Sequence, residues 1–331
     1  MNKIKQIIDR AFSTQKLNKD EIVALLAVED NTEELQYLYK KADQLRNKYH
    51  GNKVHLRAII EFSNYCCQNC KYCGLRKDNK KVKRYQLTPE EIIDTAVQSA
   101  KIGYKTIVLQ SGEDYYDAGK ISRVITSIKE KADTAVTLCL GERGFEEYKL
   151  WRKAGADRYL LKHETAAENF YHELHPGMSY QERIKRLKWL KDLGYQVGSG
   201  NIVGLPGQTL EILAQDIMLF KKMNFDMIGI GPFISHPETP LGKKYNKDNP
   251  VDISMSLKVL AVTRLLLPLT HLPATTALGT LDSQGRQKGL HAGANVVMPN
   301  VTDTKYREHY QIYPEKICIN EKASDCRQCI G

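Results

Sequence analysis

Val54-His-Leu-Arg-Ala-Ile-Ile-Glu-Phe62 runs without a break into Ser63-Asn-Tyr-Cys-Cys-Gln-Asn-Cys-Lys-Tyr-Cys-Gly-Leu-Arg76. The first stretch is apolar and β-branched and reads as a strand. The second is a loop in which Cys66, Cys70 and Cys73 are spaced C-x3-C-x2-C, with the aromatic Tyr72 just before the last. Three thiolates this close hold three corners of a four-iron cube and leave one iron open to a substrate or cosubstrate. A zinc knuckle requires a fourth Cys or His near by. The nearest histidines, His50 and His55, lie just before and at the start of the strand and are poorly placed. A disulfide framework lacks the secretory segment that would accompany it. Cys67 is extra and offers a competing frame, Cys67-x2-Cys70-x2-Cys73.

The rest of the chain sets the bounds. It has 331 residues, 42% hydrophobic and 27% charged, which fits a soluble globular protein. The longest apolar run, Ile22 to Val28, is far short of the ~20 residues of a membrane span. Met1 to Arg10 is charged and has no apolar signal core, so a cytoplasmic protein is expected, with no membrane partner. The net charge of +10 is dispersed, as in Lys77 to Lys83 and Lys185 to Lys188, without interleaved aromatics. That argues against nucleic acid and leaves a solvated surface, an acidic protein or anionic small molecules. The eight cysteines comprise the first cluster, a second at Cys318, Cys326 and Cys329, and Cys139 alone in an apolar strand. Clustering in such a chain favours metal over disulfides.

Helical periodicity marks residues 1–50, with Asn18 as a cap. From Val54 strands alternate with helices. Strands are expected at Val54–Phe62, Lys105–Gln110, Ala135–Leu140, Asp157–Leu161, Gln196–Val203, Phe225–Ile230, Leu272–Thr276 and Asn295–Met298. Thr88-Pro-Glu-Glu91 is a capping box, and Ser179-x-x-Glu182 opens another helix. Eight such strands predict an α/β fold, a complete (β/α)8 TIM-type barrel over 51–303. It follows an N-terminal helical extension, 1–50, and precedes a short C-terminal cysteine tail, 304–331, that closes the barrel. An open doubly wound sheet is the alternative.

In a barrel the chemistry gathers at strand C-termini. The cysteine loop, Gln110-Ser-Gly-Glu-Asp114, Lys162-His-Glu-Thr165, Gly200–Gly207, Gly229–His236 and Thr275-Thr276 all fall there. His163 is as readily a core residue as a functional one.

The cysteine spacing resembles the cluster motif of radical S-adenosylmethionine (SAM) enzymes. That resemblance implies a [4Fe-4S] cluster on Cys66, Cys70 and Cys73 whose open iron takes the amino and carboxylate groups of SAM. SAM-binding residues would then be Tyr72 against adenine, Glu164 on the ribose, Arg183 on the carboxylate, and Gln110, Ser111, Gly112, Gly204 and Ile230 around them. Gly112, Gly204 and Gly207 would let backbone approach closely.

Longer strings narrow the family. Cys73-Gly-Leu-Arg76, Thr106–Asp114, Arg158–Thr165, Val203–Thr209, Gly229–Ile234, Ala274–Ala277 and Tyr310–Cys318 resemble HydE, the radical SAM maturase family of [FeFe]-hydrogenase. Biotin synthase and methylornithine synthase look like more distant relatives. The resemblance implies reductive cleavage of SAM to methionine and a 5′-deoxyadenosyl radical. The radical would attack the sulfur of an iron–cysteine complex carrying CO and cyanide, a small organometallic or thiol substrate supplied by another hydrogenase maturase. The implied reductant is a flavodoxin or ferredoxin. Arg57, Thr137, Lys162, Thr275, Thr276, Met298, Tyr310 and Tyr313 carry over as substrate-cavity positions. Lys162 stands where the family pattern suggests arginine, keeping the charge and losing the bidentate fork. Cys318, Cys326 and Cys329 match an accessory site for a second iron–sulfur cluster, [2Fe-2S] or [4Fe-4S]. Other functions stay open: a sulfur insertion, a methylornithine-type rearrangement, or a non-catalytic iron–sulfur carrier.

Overall fold

Three helices, Lys3–Thr14, Lys19–Leu26 and Glu33–His50, come before any strand. The second starts at a full capping box. Asn18 accepts from the Glu21 N–H at 2.9 Å, and the Glu21 carboxylate accepts from the Asn18 N–H at 3.0 Å. Their apolar faces, including Ile8, Ile22, Leu25 and Leu38, are buried and join the main core. The helices pack on the later helix Ser254–Leu266. This computed structural model describes residues 3–245, 253–317 and 319–320.

The strands are β1 (His55–Leu56), β2 (Ala58–Ser63), β3 (Thr106–Ser111), β4 (Ala135–Cys139), β5 (Arg158–Leu160), β6 (Gln196–Val203), β7 (Met227–Pro232) and β8 (Val296–Val297). Strands β2 to β7 form a six-stranded parallel sheet in chain order, and β1 pairs with β8. Parallel neighbours need crossovers. Helices Pro89–Lys101, Ala118–Lys131, Phe145–Lys153, Tyr180–Asp192 and Leu210–Met223 supply them. Thr88 caps the first of these with Glu91, and Ser179 caps the fourth, accepting from the Glu182 N–H. The sheet is buried on both faces, so its strands read as nearly continuous apolar runs, as in Ala58–Ser63.

The expected strands shift where the local chemistry demands it. Val54–Phe62 splits into β1 and β2 at Arg57. The sixth begins at Met227, because Asp226 turns its carboxylate to the Val197 N–H at 2.8 Å. No strand forms at Leu272–Thr276. Pro273 has no N–H to give a ladder, and Thr276 already opens the helix Thr276–Leu281, with Thr275 at its cap position. The eighth shrinks to two residues, with Pro299 just beyond. Between β7 and β2 the pairing continues through the two-residue β1–β8 ladder and isolated parallel bridges, Met227 to His271, Pro273 to Val296 and Ile59 to Asn300.

Arg264 organises this irregular side. It is fully buried in the helix Ser254–Leu266. Its guanidinium donates to Gly293 O at 2.8 Å, Pro268 O at 2.8 Å, Thr270 O at 2.8 Å and Asn295 Oδ1 at 3.2 Å. Those acceptors flank both short segments, where a regular ladder would otherwise satisfy the backbone. Burial pushes the Arg264 pKa down to about 9, so the carbonyl cage holds it without a carboxylate. We expect Arg264→Ala to cost roughly 3 kcal/mol or more in urea unfolding, since several buried carbonyls lose their donor at once. Arg264→Lys should recover little, because one ammonium cannot reach acceptors on separate segments. A loss below about 1 kcal/mol would show that the cage is dispensable.

Candidate functional site

The cysteine loop leaves the end of β2 and is pinned from several directions. The Gly112 N–H donates to Ser63 O at 3.0 Å, and the Cys67 N–H to Glu113 O at 2.7 Å. A Cβ on Gly112 would lie 2.2 Å from Tyr65 O and 3.0 Å from the Cys66 Cβ, so only glycine lets β3 and the loop meet. The Lys71 N–H reaches Leu174 O at 2.9 Å, and the Gly74 N–H reaches Ile312 O at 2.8 Å. Arg84 braces the far side, donating to Asn64 O at 2.5 Å, Leu75 O at 2.9 Å and Arg76 O at 2.8 Å.

Cys66, Cys70 and Cys73 are free thiols. Burial raises the pKa of each, that of Cys73 to about 12. Cys70 is raised further by Cys73 and Cys66, and Cys73 by Cys66, so the three lie within electrostatic reach of one another. Cys67 titrates at about 11, raised by burial and then by Glu113, Cys66 and Asp114. It faces the acidic end of β3. Cys67 thus feels Cys66 and the acidic pair Glu113 and Asp114, whereas Cys70 feels Cys73 and Cys66. Three partly buried thiols with no disulfide suit ligation by a cation that stabilises the thiolates.

Beside the loop sits a network of charges. Arg183, 7% exposed, places Nε 2.7 Å from Glu142 Oε1 and donates from Nη1 to Lys162 O at 2.9 Å. Burial opposes its charge, yet Tyr171, Glu142 and Glu113 together hold its pKa above the ordinary arginine value. Lys162 Nζ pairs with Glu164 Oε2 at 2.8 Å. Glu164 has a φ of 64°, a left-handed conformation that turns the chain sharply at the end of β5. Asp216 holds that turn, accepting from the Ala166 N–H at 2.6 Å and Asn201 Nδ2 at 2.9 Å. Burial lifts its pKa to about 7. Tyr72 bonds His175 Nε2 at 2.9 Å and packs on an apolar cluster of Leu174, Ile202, Leu205 and Phe233.

The other expected positions divide. Ser111 is buried and donates to Gly112 O at 2.7 Å, and Gln110 is in register with Glu61 and Cys139. Gly204 has a φ of 85° at the turn after β6 and donates to Gln208 Oε1 at 2.7 Å. Ile230 alternates with Gly229, which lines an inner cavity, so its side chain joins the core between sheet and helices. Only its backbone faces inward. His163 is a core residue, edge-on to Phe220, stacked on Phe225 and bonded to Ser199 Oγ at 2.8 Å.

The proposed substrate positions fall at two levels. Arg57, Thr137 and Met298 line an enclosed cavity with Met227, Gly229 and His271, well below the strand ends. Arg57 Nη1 lies 2.7 Å from Met227 Sδ, and burial with Arg158 lowers its pKa to about 10. The Thr137 and Thr275 hydroxyls are buried without hydrogen-bond partners among the described residues. Tyr310 lies nearer the cysteines, buried, with its phenol pKa raised by burial, Glu61, Cys139 and Cys73 among others. Lys316 packs on its ring and pairs with Glu61. Thr276 Oγ1 accepts from Arg286 at 3.3 Å. Tyr313 lies on the same C-terminal segment.

Glu142, Arg84 and Asp216 were not evident from the sequence, because each acts through a partner distant in the chain. A further group, His50, His55 and His271, brings ring nitrogens within 4.8 Å of one another. Burial depresses the pKa of all three, and after it Arg264 acts on His50 and Arg57 with Arg158 on His55 and His271, surroundings that oppose a cation. Cys318, Cys326 and Cys329 lie outside the described residues. No helix among the described residues is long and apolar enough to cross a membrane.

The model of the Radical SAM superfamily matches residues 60–220. The chain is 52% identical over 294 residues to the [FeFe] hydrogenase maturase subunit HydE of Thermotoga maritima, covering 88% of this chain and 83% of that one. It is 30% identical over 285 residues to a 3-methylornithine synthase of Methanosarcina acetivorans, covering 85% and 79% respectively. Among solved structures it resembles methylornithine synthase (PylB) at a TM-score of 0.84 and 26% identity, over 97% of this chain and 93% of that one.

The Asp216 carboxyl gives a pH test. Its folded pKa, about 7, lies above the ordinary aspartate value, so the folded chain binds this proton more tightly than the unfolded one. Stability should therefore rise as the pH falls from about 7 toward about 4, by roughly 1–3 kcal/mol from this group. Thermal melts of wild type and Asp216→Asn compared across that range should differ in slope. Parallel slopes would mean that Asp216 is ionised throughout.

Proposed function

Because the chain belongs to the HydE family of the radical SAM superfamily, we propose that it matures [FeFe]-hydrogenase by acting on an iron–cysteine complex that carries CO and cyanide. The observation that carries this reading is three partly buried free thiols, Cys66, Cys70 and Cys73, within electrostatic reach of one another beside the Arg183–Glu142 and Lys162–Glu164 pairs. Those thiols suit a [4Fe-4S] cluster, whose fourth iron would take the amino and carboxylate groups of SAM. When bound, the cluster supplies the electron that cleaves SAM to methionine and a 5′-deoxyadenosyl radical.

The residues divide the remaining work. Arg183 offers a planar guanidinium, already oriented by Glu142 and Lys162 O, to the SAM carboxylate. Glu164 accepts from the ribose hydroxyls. Tyr72, with Leu174, Ile202, Leu205 and Phe233, packs the adenine and keeps water from it. Gln110, Ser111, Gly112, Gly204 and the backbone at Ile230 complete the SAM contacts.

Lys162, at the inner end of this group, presents a point charge to the substrate. Below it, Arg57 and the unpartnered Thr137 and Thr275 hydroxyls suit a small anionic complex, and Met298, Tyr310, Tyr313 and Thr276 shape its enclosure. The bridges through His271, Pro273 and Val296 support a sheet closed into a full (β/α)8 barrel over 51–303, and the Gly74 N–H bond to Ile312 O supports a C-terminal segment that returns across its open end. A second cluster on Cys318, Cys326 and Cys329 would be accessory, and other maturases would supply and receive the complex.

With the chain anaerobically reconstituted, dithionite and SAM should yield 5′-deoxyadenosine, and Cys70→Ala should not. Normal yield from folded Cys70→Ala would refute the cluster assignment. Arg183→Ala should weaken SAM binding about 10- to 100-fold, from a charged hydrogen bond worth roughly 1.5–3 kcal/mol. Since it also strands Glu142, the Arg183→Ala/Glu142→Gln pair is the control for folding. Thr276→Val should leave SAM affinity nearly unchanged while hydrogenase activation falls. Equal damage to SAM binding by the two changes would overturn this division of the cavity. Activation of apo-hydrogenase with the other maturases separates this function from a methylornithine-type reaction. A carrier without catalysis would release no 5′-deoxyadenosine.

A further inference from the structure

The chain's excess of positive charge, +10 overall, has a local focus beside the cysteine loop. Lys77, Lys80, Lys81 and Lys83 follow the loop directly and are exposed. Their turn is seated on the loop itself. The Lys77 N–H donates to Gln68 O at 2.8 Å, and the Asp78 N–H to Asn69 Oδ1 at 3.0 Å. A second segment, far away in the chain, arrives at the same place. The Leu241 N–H donates to Lys71 O at 3.1 Å, and Lys81 Nζ reaches Glu238 at 2.6 Å. That segment adds Lys243 and Lys244, both exposed. Across residues 71–84 and 236–245 the acidic residues are Asp78 and Glu238.

The character of these charges matters. Arg76 and Arg84 are turned inward onto backbone carbonyls and serve the loop. The outward-facing cations are lysines, hydrated point charges on flexible stems. Such a surface contributes little to stability. It is suited to steering an oppositely charged protein, which raises the encounter rate without tight binding. Tyr65, immediately before Cys66, is 43% exposed at the same edge. Small, transient interfaces are typical of electron-transfer encounters. Nucleic acid fits less well, since the exposed aromatics at these segments, Tyr65 and Tyr245, flank the lysines and do not alternate with them in a stacking row.

We propose that Lys77, Lys80, Lys83, Lys243 and Lys244 form the docking surface for an acidic one-electron carrier protein that feeds the Cys66–Cys70–Cys73 site. This rests on the reading of that site as a redox cluster. For a flavin carrier the balance is one electron: the hydroquinone becomes the semiquinone and loses a proton, and [4Fe-4S]2+ becomes [4Fe-4S]1+. One such transfer matches one SAM cleavage.

The test compares two reductants on cluster-loaded protein: dithionite, which needs no docking surface, and a reduced flavodoxin of low isoelectric point. In Lys77→Glu/Lys80→Glu/Lys83→Glu, flavodoxin-driven 5′-deoxyadenosine formation should fall about tenfold or more at low salt. Dithionite-driven formation should stay within about twofold. The wild-type flavodoxin rate should drop between about 50 and about 300 mM salt, and the variant's should not. Binding of oxidised flavodoxin, read by its flavin fluorescence, should weaken in parallel. If dithionite works and the variant keeps the wild-type flavodoxin rate and binding, the docking surface is refuted. If dithionite itself yields nothing in wild type, the cluster reading fails, and the flavodoxin titration alone still decides whether this surface docks an acidic protein. Loss of oligonucleotide binding in the variant, with flavodoxin turnover unchanged, would reassign the surface to nucleic acid and overturn the proposal.

Discussion

Three half-buried thiols at the end of one strand set the terms for everything around them. Burial alone makes each a poor acid, with Cys73 pushed up to about 12. A ligand set must nevertheless lose its protons. The protein cannot remove that cost, but it lowers it. The Arg84 charge favours the thiolates of Cys66 and Cys73, and Arg183 favours that of Cys70. Backbone N–H groups of Gln68 and Glu113 do the same for Cys66, and that of Leu75 for Cys73. The loop therefore has to be rigid, because donors on three segments must stay aimed at three sulfurs. That requirement accounts for the glycine at 112, where any side chain would strike Tyr65 O, and for Arg84, which spends its donors on the loop's carbonyls.

The same arithmetic governs Arg183. Its charge is useful to Cys70 and would be useful to a carboxylate, yet a buried guanidinium without a partner is costly. Glu142 resolves the conflict by holding Arg183 and, at 3.6 Å, leaning on Arg186 as well. Lys162 and Glu164 repeat the device one strand-end away. Paired charges beside a cavity keep orientation without leaving a bare ion. A ligand that brings its own carboxylate or hydroxyls then exchanges partners instead of paying full desolvation.

The reading from sequence was good where the determinants are local. The cap at Asn18 and the capping box at Thr88 are local hydrogen-bond patterns and appear as written in the chain, and Asn18 proves to be a full box with Glu21. Strand β6 matches residue for residue, because Gln196–Val203 is bounded by turn glycines, Gly194 before it and Gly204 after it, both at positive φ. The failures have a common physical cause. Leu272–Thr276 has a strand's composition, but Pro273 withholds a donor and Thr276 is committed to a helix. Ile230 sits in a promising motif, but strand alternation turns its side chain away. Glu142, Arg84 and Asp216 follow no motif, since their meaning lies in partners 41, 20 and 15 residues away, at Arg183, Asn64 and Asn201.

The irregular side of the sheet is best understood together with the C-terminal segment. Regular pairing from β2 to β7 presents a run of strand ends to the charged site. Between β7 and β2 the backbone is satisfied by the two-residue β1–β8 ladder, by single bridges and by the Arg264 cage, which demand less of the sequence. That looser side is where the chain returns. Ile312 O takes the Gly74 N–H, and Lys316 pairs with Glu61, which also accepts from Asn300 Nδ2 at 2.7 Å. Glu61 lies in β2, two residues before its end, and Gly74 directly follows the last cysteine. The last described turn of the chain is thus tied to both ends of the cysteine loop through one buried carboxylate and one backbone carbonyl. Whatever displaces Lys316 leaves Glu61 buried beside the phenol of Tyr310 with less compensation. A buried carboxylate without that partner draws in water, which loosens the strand on which the cysteine loop is built.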